Sequence, residues 1–211
     1  STGHAADAAG ALRAALRDDI RSDTGERLWA LTRLAEIEQR RGQYAAAEAA
    51  YREALALGIS DSYLLAAYAD FLLDQGRAAE VRVLLQGRER SDPLLLRLAL
   101  AAKASADPLQ ARWQRELAAR FDAARLRGDS VHQKEESRFA LQLLGDGPRA
   151  LALARQNYAV QREPSDARTL LEAALAARQP EAAAPVLAWM KSSGIESLVL
   201  QDLARKLGAG P

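Results

Sequence analysis

His4 and His132 are the two histidines of this chain, and neither stands beside a nucleophile or within a metal-ligand spacing. His132 comes just before Lys134, Glu135 and Glu136 at a predicted helix start, where a solvated side chain is the plain reading. Paired carboxylates occur at Asp18-Asp19 and Glu135-Glu136. Adjacent helical residues point about 100° apart, so neither pair can flank a bond as a glycosidase pair does. Gly145-Asp146-Gly147 reads as a turn, and no glycine-rich phosphate loop, zinc pattern or nucleophile elbow is present. Cysteine is absent, which removes disulfides and thiolate metal sites. The expectation is no catalytic residue, no metal and no cofactor. What remains is recognition. Trp29, Trp113 and Trp189 are expected to pack between helices, with Trp29 nearest an open surface. Arg112, Arg115, Arg120, Arg125 and Arg127 alternate with Glu116 and Asp122, the pattern of a solvated outer face rather than a phosphate strip.

The elements that would position such residues are helices. Hydrophobic residues make up 49% of the 211-residue chain and aromatics only 5%, so a core must be built from Ala and Leu, both strong helix formers. Net charge is +1, which gives no electrostatic footprint for nucleic acid or an anionic membrane. No apolar run approaches the roughly 20 residues of a membrane span. The expectation is a soluble protein of the bacterial periplasm or cytoplasm, the former slightly preferred.

Residues 28–61 read as two amphipathic helices joined at Gly42. Trp29, Leu31, Leu34, Ala35 and Ile37 form one face of the first, and Tyr44, Ala47, Ala50, Tyr51, Ala54 and Leu55 one side of the second. Arg40 and Arg41 followed by Gly42 is a helix stop: cations at the negative end of the dipole, then a residue free to turn left-handed. The unit recurs. Gly42 returns at Gly76, Ala35 at Ala69 and Leu31 at Leu65, each 34 residues on. The chain divides as a partial repeat and connector at 1–27, repeats at 28–61, 62–95, 96–132 (irregular, without the glycine stop), 133–166 and 167–194, and a capping helix with a tail at 195–211. Gly3 stands in for Gly42 in the partial repeat, so the expectation is a piece cut from a longer protein. Hairpins of this kind cannot bury their own apolar faces and must stack on one another.

These features resemble the tetratricopeptide repeat family, as found in uncharacterised bacterial repeat proteins. The large–x–x–large–small run appears as Leu31, Leu34, Ala35 and as Leu65, Tyr68, Ala69; Ala47 with Tyr51 supplies the later small–aromatic pair, and Pro93 and Pro164 close units. Glu38 departs from the pattern, standing where the family carries a bulky apolar residue. The resemblance implies an all-α, right-handed superhelical solenoid of antiparallel helix pairs, with the first helices lining a concave groove. Carried onto this sequence, the groove-facing set is Trp29, Thr32, Glu36 and Gln39; then Tyr63, Ala66, Asp70 and Asp74; then Lys134 and Ser137; then Arg168, Leu171 and Arg178. Acids would lie toward one end and bases toward the other. The implied function is non-catalytic binding of a peptide or protein of mixed charge, within a larger scaffold or assembly factor. The alternatives are self-association through the N-terminal half-repeat and, less favoured, RNA binding. No nucleic acid and no membrane insertion are expected.

Overall fold

The computed structural model describes residues 4–18, 23–129 and 132–208. Gly3, the middle of the connector, Asp19, part of the third unit's end and the last residues of the tail lie outside the described residues. Among those described the chain is all-α, with no strand. The helices are α1 (Ala5–Asp18), α2 (Thr24–Arg40), α3 (Tyr44–Ala56), α4 (Ser62–Asp74), α5 (Ala78–Leu84), α6 (Asp92–Ala104), α7 (Leu109–Leu126), α8 (Gln133–Phe139), α9 (Gly147–Val160), α10 (Pro164–Ala176), α11 (Ala184–Ser193) and α12 (Leu198–Lys206). A π-helical turn, Ala140–Leu144, follows α8, and a 3₁₀ turn, Pro180–Ala183, leads into α11.

One turn chemistry ends several of these helices. After α2, Gln43 N–H donates to the Glu38 carbonyl at 2.8 Å and Gly42 N–H to that of Gln39 at 3.0 Å, with Gly42 at φ 77°. This closure needs a left-handed residue, which glycine adopts without a Cβ penalty. The third unit has no glycine at that point, yet it closes the same way. Ala106 takes φ 52°, and Asp107 N–H donates to the Ala102 carbonyl at 2.8 Å. Arg178 does likewise after α10, at φ 55°.

Consecutive helices pack as pairs, α2 on α3, α4 on α5, α6 on α7, α8 on α9 and α10 on α11. The even-numbered helices also touch in series from α2 to α12. Tyr51 is buried between pairs, its ring stacked on Tyr68 at 5.1 Å and tilted against Phe71 at 5.7 Å. Glu38, 0% exposed, replaces the expected apolar packing with two ion pairs, Arg13 of α1 at 2.5 Å and Arg41 at 2.8 Å. That pairing, with Ala5 and Ala9 buried, lays the apolar face of α1 on α2. Trp113 is buried and Trp189 half-buried, as packing residues should be, but Trp29 is 59% exposed and does not pack between helices.

The buried apolar residues form two clusters. One runs from Ala5 to Phe139 and includes Leu143; the other runs from Ala140 to Leu203. The chain crosses between them at the π-helical turn. Its two ends then meet, since the Ala5 N–H lies 3.5 Å from Glu196 Oε1.

Candidate functional site

The inner faces of α2, α4, α6, α8 and α10, with the start of α12, enclose a cavity of about 330 Å³. Helical spacing explains the contribution of α4: Tyr63, Ala66 and Asp70 lie three and four residues apart and share one face. Asp70 is held by two guanidinium forks. Arg97 of α6 donates through Nε at 3.1 Å and Nη2 at 2.7 Å. Arg138 of α8 donates through Nη1 at 2.9 Å and Nη2 at 2.8 Å. Burial alone would raise the Asp70 pKa, but the two guanidiniums outweigh it and hold the carboxyl well below its usual range. It is an anion at any neutral pH.

One turn along α4, Asp74 sits at the edge of the cavity. It accepts two hydrogen bonds from Arg168 of α10, at 2.6 and 2.8 Å, and one from Gln39 Nε2 at 3.3 Å. Arg168 Nε donates to Glu172 at 2.6 Å. Desolvation would lower the Arg168 pKa, and the two carboxylates more than reverse that. At the mouth, the Tyr63 hydroxyl donates to Glu36 at 2.5 Å, and Arg33 donates to both Glu36 (2.9 Å) and the Tyr63 oxygen (3.0 Å). The Arg33 guanidinium also lies 5.2 Å from the Tyr63 ring and 6.0 Å from that of Trp29, within cation–π range. Burial, then the neighbouring Glu36 charge, pushes the Tyr63 pKa far up, so its phenol stays a donor. Lys134 reaches Ser165 Oγ at 3.3 Å, and Glu135 faces the cavity 3.7 Å from Arg97.

Of the sequence-predicted groove set, Glu36, Gln39, Tyr63, Ala66, Asp70, Lys134 and Arg168 line the cavity, and Asp74 joins them through Arg168. Five do not belong there. Trp29 lies outside the cavity lining, exposed beside Arg33. Thr32 is buried and donates to its own helix, at the Leu28 carbonyl. Ser137 is 0% exposed and donates to the Ala150 carbonyl at 2.8 Å, a tie between α8 and α9. Leu171 is core. Arg178 lies past the end of α10, in the left-handed turn described above, and does not line the cavity. The acids of α4 and the bases of α8 and α10 face each other across the cavity and pair directly. Sequence reasoning missed Arg33, Arg97 and Arg138. A signal existed for Arg97: it is the single charge in an otherwise apolar run, Leu94 to Ala102, and it is only 4% exposed.

On the outer face Arg120 of α7 is strapped to Asp92 at 2.6 Å and to the Glu89 carbonyl at 3.1 Å, and Arg125 pairs with Asp122. Part of the basic strip is thus internally neutralised. Among the described residues no cluster of His, Cys, Asp or Glu could hold a metal ion, and no helix is long and apolar enough to cross a membrane. Compared with known proteins, the chain matches no family model, no curated protein and no solved structure.

Proposed function

We propose that this all-α chain is a tetratricopeptide-like solenoid, wound as a right-handed superhelix, that acts as a non-catalytic module within a larger scaffold or assembly factor. Its partner is a peptide or protein that places a few side chains in the inner cavity. The convergence of five inner helix faces on one mixed-charge cavity carries this reading. A volume of about 330 Å³ is at the lower end for ligand sites, so it suits a side chain or chain end rather than a long segment lying along a groove. The chemistry of the lining favours binding over reaction. Asp70 is pinned as an anion and Tyr63 as a neutral phenol, so neither is poised to move a proton near pH 7. Self-association through the half-repeat is less favoured, because the apolar face of α1 already rests on α2.

The reading is tested by photo-crosslinking from two positions in extract of the native host. A benzoylphenylalanine replaces Tyr63 at the mouth in one variant and Leu126, 91% exposed on the outside, in the other. A discrete protein adduct from position 63 and not from 126 is the expected result. Identical adduct patterns from the two positions, or none from 63, would refute it.

A further inference from the structure

Four separate features divide this molecule along one line. The apolar core is two clusters rather than one, and they meet at the π-helical turn, where Ala140 belongs to the second and Leu143 to the first. The chain crosses that line in a π-helical turn, closed by the Asp146 N–H on the Ala140 carbonyl at 2.9 Å and followed by Gly145 at φ 72°. Such turns mark local irregularity inside helices and are frequent where a helix serves a function. The side-chain contacts that bridge the clusters across the cavity include Asp74 with Arg168, Arg33 with Glu163 at 3.8 Å and the Ala5 N–H with Glu196, beside one apolar contact, the half-exposed Leu198 against Gly42. The cavity itself lies in this seam. Polar seams between separately packed cores permit relative motion, whereas apolar ones resist it.

The ionic contacts around the cavity are not equivalent. Asp70 ties α4 to α6 and α8 through arginines whose side chains are 5% and 15% exposed. Breaking these pairs would strand the two guanidiniums out of water, so α8 is tied to the first core, while Ser137 and Glu136 tie its other side to α9. The Phe139 ring, 5.3 Å from Phe121, adds to that anchor. Asp74 and Arg168 are a quarter to a third exposed, and each can be rehydrated if they separate.

We propose that the molecule is a two-jaw clamp, with the α1–α7 core and the α9–α12 core pivoting on α8 and its π-helical turn, and with Asp74–Arg168 as the releasable clasp that closes the cavity between them. Asp70 is the pivot's anchor and Asp74 the catch. Opening separates the inner face of α10 from that of α4 and admits a guest larger than the closed cavity holds. This device stands on the geometry alone and does not depend on what the cavity receives.

The absence of native cysteines makes the test direct. Spin labels are placed on Ala79→Cys and Glu181→Cys, both exposed and on opposite jaws, and their separation is read by pulsed electron resonance. In Asp74→Arg the distance distribution is expected to shift outward, because two cations now face each other. In the charge swap Asp74→Arg with Arg168→Asp it is expected to return to the starting distribution. Helicity by circular dichroism accompanies each sample, and Asp74→Asn is read in the same way if Asp74→Arg loses helicity. An unshifted distribution in a fully helical variant overturns the clamp, and so does an outward shift that persists in the charge swap.

Discussion

Leu198, in the first turn of α12, lies directly over Gly42 at the end of α2, its Cδ1 2.6 Å from the point where a β-carbon on Gly42 would stand. The last helix of the chain therefore leans on the stop signal of the first full hairpin. Gly76 occupies the same kind of turn, at φ 70°, with open space around its would-be β-carbon. The pair makes an internal control. Alanine at either position should cost about 1–2 kcal/mol for the left-handed backbone alone. Only Gly42→Ala must also push Leu198 aside, so amide exchange in α12 should quicken in that variant and remain unchanged in Gly76→Ala. Hydrogen exchange read by mass spectrometry on peptides covering α12 checks this.

Asp70 should make stability acid-sensitive. Its folded pKa is depressed, so its contribution is present in full above the unfolded carboxylate value near 4 and is lost as pH falls from there toward the folded value. Thermal unfolding of the wild type should drop from about pH 4 downward. Asp70→Asn should lose part of that slope and should be destabilised at pH 7 by about 3 kcal/mol, because Arg97 and Arg138 are left facing each other. Melting curves of both proteins from neutral pH into the acid range decide the matter.

Glu38 offers a test of a buried charge against an apolar alternative. Arg13→Ala leaves this carboxylate with Arg41 as its ionic partner and should cost about 1–3 kcal/mol. Adding Glu38→Leu should recover most of the loss, since the closed site then holds no anion and Arg41 can reach water. Urea midpoints for the two single variants and the double variant close the cycle.

Gly147, the first residue of α9, allows a close approach of backbones. A β-carbon there would meet the Ala176 carbonyl carbon and oxygen at 3.0 Å and the Ala177 nitrogen at 3.1 Å. Backbone cannot swing away as a side chain can, so Gly147→Ala should destabilise by about 1–3 kcal/mol. The loss should appear as a lower denaturant midpoint with helicity retained before the transition.

The helices were legible because their signals are local. Gly42 and Gly76 mark turns that need φ > 0, and the Ala/Leu spacing marks faces that need burial. The cavity was legible in part. Helical phase turns about 100° per residue, so an error of one position carries a side chain from cavity to core. That is the fate of Thr32 and Ser137, while Glu36, Gln39, Tyr63 and Asp70 were in phase. Arg178 was projected along α10 past the point where the helix stops. The pairing of Asp70 with Arg138 and of Asp74 with Arg168 joins residues 68 and 94 positions apart. It depends on how helices distant in the chain are brought face to face, and no short stretch of sequence encodes that placement.

The double fork on Asp70 has a consequence for the order in which the molecule can be finished on the ribosome. Arg97 emerges while α4 is still fresh, but Arg138 lies 68 residues behind the carboxylate it must grip. At roughly 5–20 residues per second the nascent chain waits several seconds for that second hand. Until it arrives, Asp70 is held by Arg97 alone, and the double fork is completed only once α8 has been made.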